Sequence, residues 1–395
     1  MLSYRYLFDL ALILLSTKVL GLITKKFQMP QVVGALLAGL FLGPAVFNII
    51  TESNFIKQMA ELGVIIIMFT AGLGTDINEL RKTGKASFII ALLGVLLPLI
   101  GGTAIAFIFN RGELLQNGGN VLLENVFIGI ILTATSVSIT VETLKEIGKL
   151  NSRSGNAVLG AALIDDILSI IALTIVISLK DSSVNILFVL GKVLLFFAIS
   201  IIAGYVFYKL FDSYISRYDR DMRRFVIAAF VFCLLLSFIA ERFFGVADIT
   251  GAFIAGLVLS NNKETEYLNN RFNTLSYMLL SPVFFASIGL KVVIPSMSPK
   301  IILFSVLVIL IAILTKIIGC GLAAKLCKFS NRESLQIGIG MVARGEVALI
   351  VANKGISMGL MNSSFLGPII VMVVICAIVT PIFLKIAYNT KVSIY

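Results

Sequence analysis

The chain has 395 residues, 58% of them hydrophobic and 13% charged, with a formal net charge of +11 and a mean hydropathy of +1.03. Apolar runs recur from one end to the other, which excludes a soluble globular protein and predicts an all-α integral membrane protein. Histidine is absent, which excludes histidine-ligated metals, histidine general bases and a histidine pH switch.

Apolar runs bounded by charges or by proline and glycine clusters predict about 13 transmembrane helices. We number them spans 1 to 13 in chain order; they cover residues 3–24, 30–49, 59–75, 86–110, 124–144, 154–179, 184–210, 223–241, 245–261, 272–294, 300–324, 333–359 and 363–386. Span 1 leads directly into span 2 without a small-residue cleavage site, so we predict a retained helix rather than a signal peptide. The four cysteines lack metal-ligand spacing, and no cofactor is predicted.

Span 5 contains the segment TATSVSIT at 133–140, in which five of eight residues are serine or threonine. Such residues allow helices to pack closely, which is one interpretation. The other is an interrupted helix whose free carbonyls and half-helix dipoles face an ion near the membrane midplane. Span 12 contains a glycine-rich segment, IGIGMVARGEV at 337–347. The sequence also contains an internal repeat, in which 34–43 matches 251–260 and each span corresponds to the span seven positions later. This repeat pairs span 5 with span 12, which favours two interrupted helices.

Span 6 contains two adjacent aspartates, Asp165 and Asp166, near the middle of the apolar run between Arg153 and Lys180. A charge at the centre of a membrane helix costs about 2.5–3.5 kcal/mol, and two neighbouring carboxylates also repel each other. A packing defect hidden in a water pocket, or carboxylates that are protonated and hydrogen-bonded, would explain them structurally. We favour a dehydrated cation site whose carboxylates bind protons or a transported metal ion.

Two later spans also contain charges. Lys316 in span 11 lies about eight residues from the end of its span, so its side chain either reaches the interface or serves as a counter-ion for an aspartate. We favour the counter-ion. Arg344 and Glu346 in span 12 are predicted to form a structural ion pair in the core, with one another or with nearby charges.

Basic residues are distributed unequally between the two sides of the predicted spans. One side carries 20 lysine and arginine residues and the other carries 7. The positive-inside rule therefore predicts a multi-pass protein of the cytoplasmic membrane with its amino terminus outside and its carboxyl terminus in the cytoplasm. The positive charge sets orientation, and nucleic acid is not a predicted partner.

An internal repeat is visible at one offset. GALLAGLFLG at 34–43 matches GAFIAGLVLS at 251–260, and the same offset of 217 residues carries Gly72 onto Gly289. The offset moves each span by seven positions, and an odd shift reverses its direction in the membrane. We therefore predict inverted six-helix repeats joined by a linking helix, an arrangement typical of secondary transporters.

With these segments, the chain resembles bacterial sodium/proton antiporters of the monovalent cation:proton antiporter superfamily, in the NapA-like and KefC/GerN-like branch. The resemblance runs over nearly the whole chain. It rests on the segments MPQVVGALLAGLFLGP (29–44), ELGVIIIMFTAGL (61–73), ILTATSVSIT (131–140), ALIDDILSIIAL (162–173), GAFIAGLVLSN (251–261), TKIIGCGLAAKL (315–326) and GMVARGEVALI (340–350). The paired aspartates with a lysine in span 11 are its specific part.

The resemblance implies a fold divided into a panel and a core. Spans 1–3 (1–83) and 8–10 (213–297) would form a dimerisation panel, and spans 4–6 (84–180) and 11–13 (298–395) the core, with 181–212 as the linking helix. Within the core, the unwound spans 5 and 12 would cross. Such proteins move the core against the panel in an elevator-like step and form homodimers in the lipid membrane.

The resemblance also implies roles for the site residues. Asp166 would be the main ion ligand, and Asp165 would form an ion pair with Lys316 that breaks and reforms during the cycle. Four residues would lie at the crossover close to the ion: Thr133, Ala134, Thr135 and Ser136. One departure is Ala343, where the family pattern has proline, so the geometry of span 12 is less well predicted there.

Together these features predict a secondary active transporter that exchanges monovalent cations, Na+ first and Li+ after it, for protons. Two titrating aspartates against one monovalent cation predict electrogenic exchange. The alternatives are a K+/H+ antiporter of the same fold and, further away, a cation channel with the carboxylates as selectivity element. No nucleophile–base pair or phosphate-binding loop is present, so we expect no enzyme.

Overall fold

The computed structural model describes residues 4–115, 120–180, 185–217, 222–293 and 297–388, and these residues contain helices and loops but no β-strand. The α-helices are α1 (Arg5–Lys26), α2 (Gln31–Leu42), α3 (Asn54–Leu73), α4 (Ile77–Phe109), α5 (Val121–Ile131), α6 (Val137–Glu146), α7 (Arg153–Lys180), α8 (Ile186–Arg217), α9 (Met222–Ile239), α10 (Asp248–Leu259), α11 (Thr265–Leu275), α12 (Ser281–Leu290), α13 (Pro299–Leu326), α14 (Asn331–Gly340), α15 (Glu346–Ser357) and α16 (Leu366–Tyr388). A π-helical turn extends α9, and another joins α11 to α12.

Nine helical segments in the described part of the chain are long and apolar enough to cross a bilayer. They are formed by α1, α3, α4, α7, α8, α9, the joined α11 and α12, α13, and α16. Three shorter apolar helices, α2, α5 and α10, accompany them. These helices confirm an all-α, multi-pass membrane protein. Each predicted span overlaps at least one helix, and the count of thirteen crossings stays a prediction.

Several helix ends differ from the sequence prediction; α4, for example, begins at Ile77 rather than at residue 86, and α2 ends early. Span 2 is predicted to reach residue 49, whereas α2 ends at Leu42. The next residue, Gly43, is extended (φ −79°, ψ −179°) and precedes Pro44. A proline ring clashes with a helical conformation in the residue before it, so the helix stops although the sequence stays apolar.

The helices pack in two sets. In the first set, α2 packs on α1 and α12, and α10 packs on α3 and α9. In the second set, α4 packs on α5, α7 and α13, and α13 also packs on α14 and α16. Smaller contacts of α6 and α16 with α2, and of α6 with α3, connect the two sets. The second set surrounds the charged residues that the sequence places inside the membrane.

Two glycine contacts hold helices of the first set close together. A β-carbon on Gly256 of α10 would lie 3.0 Å from the α-carbon of Gly72 in α3, and one on Gly289 of α12 would lie 2.6 Å from the carbonyl carbon of Gly39 in α2. The 217-residue offset carries Gly39 onto Gly256 and Gly72 onto Gly289. The offset therefore exchanges one contact for the other, as a pair of related repeats would.

These contacts predict a sharp difference between two glycine-to-alanine changes. In Gly72→Ala the new β-carbon would lie 2.3 Å from the backbone oxygen of Phe253, so α3 and α10 must separate. We expect this variant to lose about 1–3 kcal/mol of stability through overpacking. Gly84→Ala in α4 is the control, because its β-carbon would meet nothing within 4 Å. Thermal unfolding in detergent measures both, and equal transition temperatures would contradict the tight crossing.

Candidate functional site

Two interrupted helices meet at the centre of the second helix set. Residues 132–136 separate α5 from α6, and residues 341–345 separate α14 from α15. The two breaks touch, because the backbone N–H of Ser136 donates to the carbonyl of Ala343 at 2.7 Å. A β-carbon on Gly345 would lie 2.9 Å from the Ser136 Oγ, so this glycine permits the close approach. Both interruptions lie in the segments where the sequence predicts them.

Arg344 lies fully buried at this crossing and supplies hydrogen-bond donors to backbone carbonyls. Its Nη1 donates to the carbonyl of Ala134 at 2.7 Å, and its Nη2 donates to the carbonyl of Ala312 in α13 at 3.3 Å. A broken helix leaves carbonyls without an amide partner, and in an apolar interior each unpaired group is costly. The guanidinium therefore joins the two breaks to α13.

Arg344 and Glu346 are predicted to pair with one another or with nearby charges, and the structure gives them separate partners. Glu346 is the first residue of α15, and its Oε2 accepts a hydrogen bond from the Nζ of Lys291 at 2.9 Å. The ion pairs of the described residues include no Arg344–Glu346 pair. The reason is that the guanidinium donates to the Ala134 carbonyl in the other break and to the Ala312 carbonyl of α13, while Glu346 pairs with Lys291 at the end of a distant helix.

Asp165 of α7 and Lys316 of α13 form a buried ion pair. The Lys316 Nζ lies 2.8 Å from the Asp165 Oδ1, and both side chains are 0% exposed. Gly94 of α4 lies beside the pair and leaves room for the Cys320 thiol, because a β-carbon there would lie 2.8 Å from the Cys320 Sγ and in ordinary contact, at 3.5 Å, with the Asp165 Oδ1. Sequence analysis misses Gly94, since glycines are frequent in membrane helices and its neighbours come from distant spans.

Asp166 differs from its neighbour in having no cationic partner among the residues that the structure describes. Its side chain is half-buried, and its Oδ2 is buried without a hydrogen-bond partner among the described residues. The Oδ2 of Asp165 is in the same situation. A buried carboxylate oxygen without a partner is costly unless it carries a proton or binds a cation. The pair therefore offers two buried oxygens to a proton or a small cation.

The crossover hydroxyls lie against α7 close to the aspartates. The Thr133 Oγ1 is 3.2 Å from the Oγ of Ser169, which follows Asp165 by one helical turn. The Thr135 hydroxyl donates to the carbonyl of Thr133 at 3.4 Å. Ser169 is not among the sequence-predicted site residues. Its spacing of three and four residues from the two aspartates is the signal that could have found it.

A cavity of about 530 Å³ lies away from the aspartates, between α1, α2, α6, α11 and α12. Glu142 lines it, and the Oε2 of this residue has no hydrogen-bond partner in the described chain. The Lys145 Nζ donates to the Thr70 Oγ1 at 3.0 Å, and the Glu146 Oε1 accepts from the backbone N–H of Gln31 at 2.8 Å. These contacts attach the end of α6 to α2 and α3.

Comparison with known proteins agrees with this geometry. Residues 11–389 match the family described as sodium/hydrogen exchanger, transmembrane. The Na(+)/H(+)-K(+) antiporter GerN of Bacillus cereus is 37% identical over 390 residues, which are 98% of this chain and 98% of that protein. A Na(+)/H(+) antiporter of Enterococcus hirae is 35% identical over 97% of each chain.

A solved structure shares the fold. The sodium proton antiporter MjNhaP1 of Methanocaldococcus jannaschii superimposes with a TM-score of 0.68, covering 97% of this chain and 96% of that chain at 19% identity. At such low identity the likeness shows the fold alone, whereas the sequence matches show kinship. The resemblance found in the sequence is confirmed, and the chain belongs to the sodium/hydrogen exchanger family.

Proposed function

We propose that the protein is a secondary transporter that exchanges Na+, or Li+ by the same route, for protons at Asp165 and Asp166. The observation that carries this proposal is the pair of buried carboxylate oxygens without partners, next to a buried Lys316 and at the side of two broken helices. Family membership supports exchange of a monovalent cation for protons. The two aspartates are the groups in the described part of α7 that are suited to bind either ion.

Competition for the aspartates explains exchange. A proton or a cation on Asp166 neutralises its charge, whereas the empty site holds a second carboxylate beside the Asp165–Lys316 pair. Moving an uncompensated charge through a dry interface is costly, so the loaded forms cross and the empty form does not.

We propose an elevator-like step for the crossing itself. The helices around the aspartates, α4 to α7 and α13 to α16, would move as a core against a panel formed by α1 to α3 and α9 to α12, with α8 as the link. The two packing sets support this division. Thirteen crossings, inverted repeats, an outside amino terminus and a homodimer in the cytoplasmic membrane complete the proposal. The exchange of glycine contacts by the 217-residue offset supports the repeats.

Potassium is the second candidate cation. The name of the Bacillus cereus relative includes K+ as well as Na+. Crossover carbonyls and hydroxyls, including Thr133, would replace part of the water shell of either ion, and small differences in their spacing decide which ion binds. A K+/H+ antiporter would use the same aspartates and the same cycle.

Replacing Asp166 by asparagine should abolish exchange, because the amide cannot release a proton or hold a cation by charge. Dye-reported collapse of a pH gradient in everted vesicles, after addition of Na+, Li+ or K+, measures this. Asp76→Asn is the control, since Asp76 caps α4 outside the proposed site and asparagine caps equally well. Collapse by Na+ in Asp166→Asn would move the site elsewhere, and collapse by K+ alone in the unmodified protein would change the substrate.

Removing Lys316 alone should destabilise the protein more than removing the whole ion pair. Lys316→Gln leaves the Asp165 carboxylate buried without its cation, and such losses reach about 3–5 kcal/mol. The double variant Asp165→Asn/Lys316→Gln should recover a large part of that loss. Thermal unfolding in detergent compares the three proteins. A double variant as unstable as Lys316→Gln would contradict a direct ion pair.

Exchange should depend on membrane potential, because two protons against one monovalent cation move net charge. One elementary charge gains about 2.3 kcal/mol per 100 mV, which is enough to change the rate several-fold. Na+-driven proton flux in vesicles with an imposed potassium–valinomycin potential measures this dependence. A rate that ignores the potential would exclude the two-to-one stoichiometry and leave antiport intact.

A further inference from the structure

A three-residue ion bridge lies on one side of the crossing helices. The Lys291 Nζ is 2.9 Å from the Glu346 Oε2 and 3.5 Å from the Glu52 Oε1. The three side chains are 20%, 31% and 21% exposed, respectively. The bridge is therefore partly shielded from solvent, where an ion pair contributes more than it does on an open surface.

The bridge joins three distant segments of the chain at one face of the molecule. Glu52 lies in the loop between α2 and α3, Lys291 directly follows α12, and Glu346 opens α15. Arg5, at the start of α1, donates to the carbonyl of Ile49 in the same loop. We call this side, where α1 begins, the amino-terminal face.

One cation holds two carboxylates at this face. Burial raises the pKa of Glu52, while the charge of Lys291 opposes that rise and the charge of Glu346 adds to it. The two carboxylates would repel each other without the lysine between them. Loss of the ammonium should therefore separate the loop before α3 from α15.

The bridge also reaches the crossing of the broken helices. Glu346 is two residues from Arg344, which donates to Ala134 in the other break and to Ala312 in α13. Ala312 precedes Lys316 by one helical turn. A displacement of Glu346 relative to Lys291 would therefore move the first turn of α15 and the groups that surround the proposed ion site.

The bridge connects the two helix sets. Lys291 directly follows α12, which packs on α2 and α3, whereas Glu346 belongs to α15, which packs on α5 and α16. Away from this face, a cavity of about 530 Å³ lies between helices of the first set and α6. The structure thus combines a closed ion bridge at one face with open space between the two sets elsewhere.

We propose that the Glu52–Lys291–Glu346 bridge is a latch that closes the amino-terminal face of the site and must open when the site turns to that face. The proposal rests on the alternating access proposed above. Lys291 acts as a positioning residue for α15 and does not bind the transported cation. Removing its charge should favour the conformation that is open to the amino-terminal face.

Thiol labelling of Ser136→Cys from each side of the membrane tests the latch. The variant also carries Cys327→Ser, because Cys327 is half-buried whereas the other three cysteines are buried. A membrane-impermeant thiol reagent is applied to right-side-out and to everted vesicles. Adding Lys291→Met should raise the labelling rate from the amino-terminal face on the order of tenfold and lower it from the other face.

Matched variants separate the latch from general damage. Lys291→Arg keeps the charge and should label like the parent. Lys300→Met removes an exposed lysine near the same face and should also have no effect. Glu346→Gln breaks the bridge from its other end and should act like Lys291→Met, so it decides the question if Lys291→Met does not fold. Labelling of both bridge variants at the Lys300→Met rate would overturn the proposal.

The labelling does not require exchange, so the two proposals fail separately. An unmodified chain without cation:proton exchange would overturn the proposed function and leave the latch result standing. Intact exchange with unchanged labelling in Lys291→Met and Glu346→Gln would overturn the latch alone.

Discussion

The ion pair between Asp165 and Lys316 is fully buried. The surrounding helices must compensate for the free energy of removing these two charges from water. Taking two charges out of water is unfavourable unless each finds a close partner and enough room. Helix α13 brings the lysine, α7 brings the aspartate, and Gly94 in α4 lets the Cys320 thiol of α13 pack beside them. The packing of these three helices therefore determines whether the two buried charges stay in contact.

The same requirement applies to the backbone. Two helices break beside the aspartates, and a break inside a membrane frees amides and carbonyls that lipid cannot satisfy. The breaks satisfy each other through Ser136 and Ala343, and Arg344 donates to carbonyls of the other break and of α13. A charged side chain thus stabilises irregular backbone, and that backbone places hydroxyl and carbonyl groups close to the aspartates.

A transporter that moves one set of helices against another needs permanent contacts within each set and breakable contacts between the sets. The glycine crossings of α3 with α10 and of α2 with α12 bring helix backbones into direct contact, which suits a rigid unit. Between the two helix sets the described contacts include the Lys291 bridge, the Glu146 contact to Gln31 and the Lys145 contact to Thr70. Polar contacts of this kind can exchange partners with water, whereas interlocked glycine crossings cannot.

The sequence by itself determined the membrane class, the approximate spans, the two helix breaks and the charged residues near the aspartates. Each of these follows from a local signal: apolar length, clustered serine, threonine or glycine, or a charge inside an apolar run. The early end of α2 also has a local cause, which is Pro44. The prediction missed it because the apolar composition of the run indicates a helix there. The tertiary structure alone decided that Arg344 binds carbonyls, that Glu346 binds Lys291, and that Gly94 lies next to Asp165. Those partners come from helices far apart in the chain, and no local sequence pattern specifies which distant group contacts a buried charge in the folded protein.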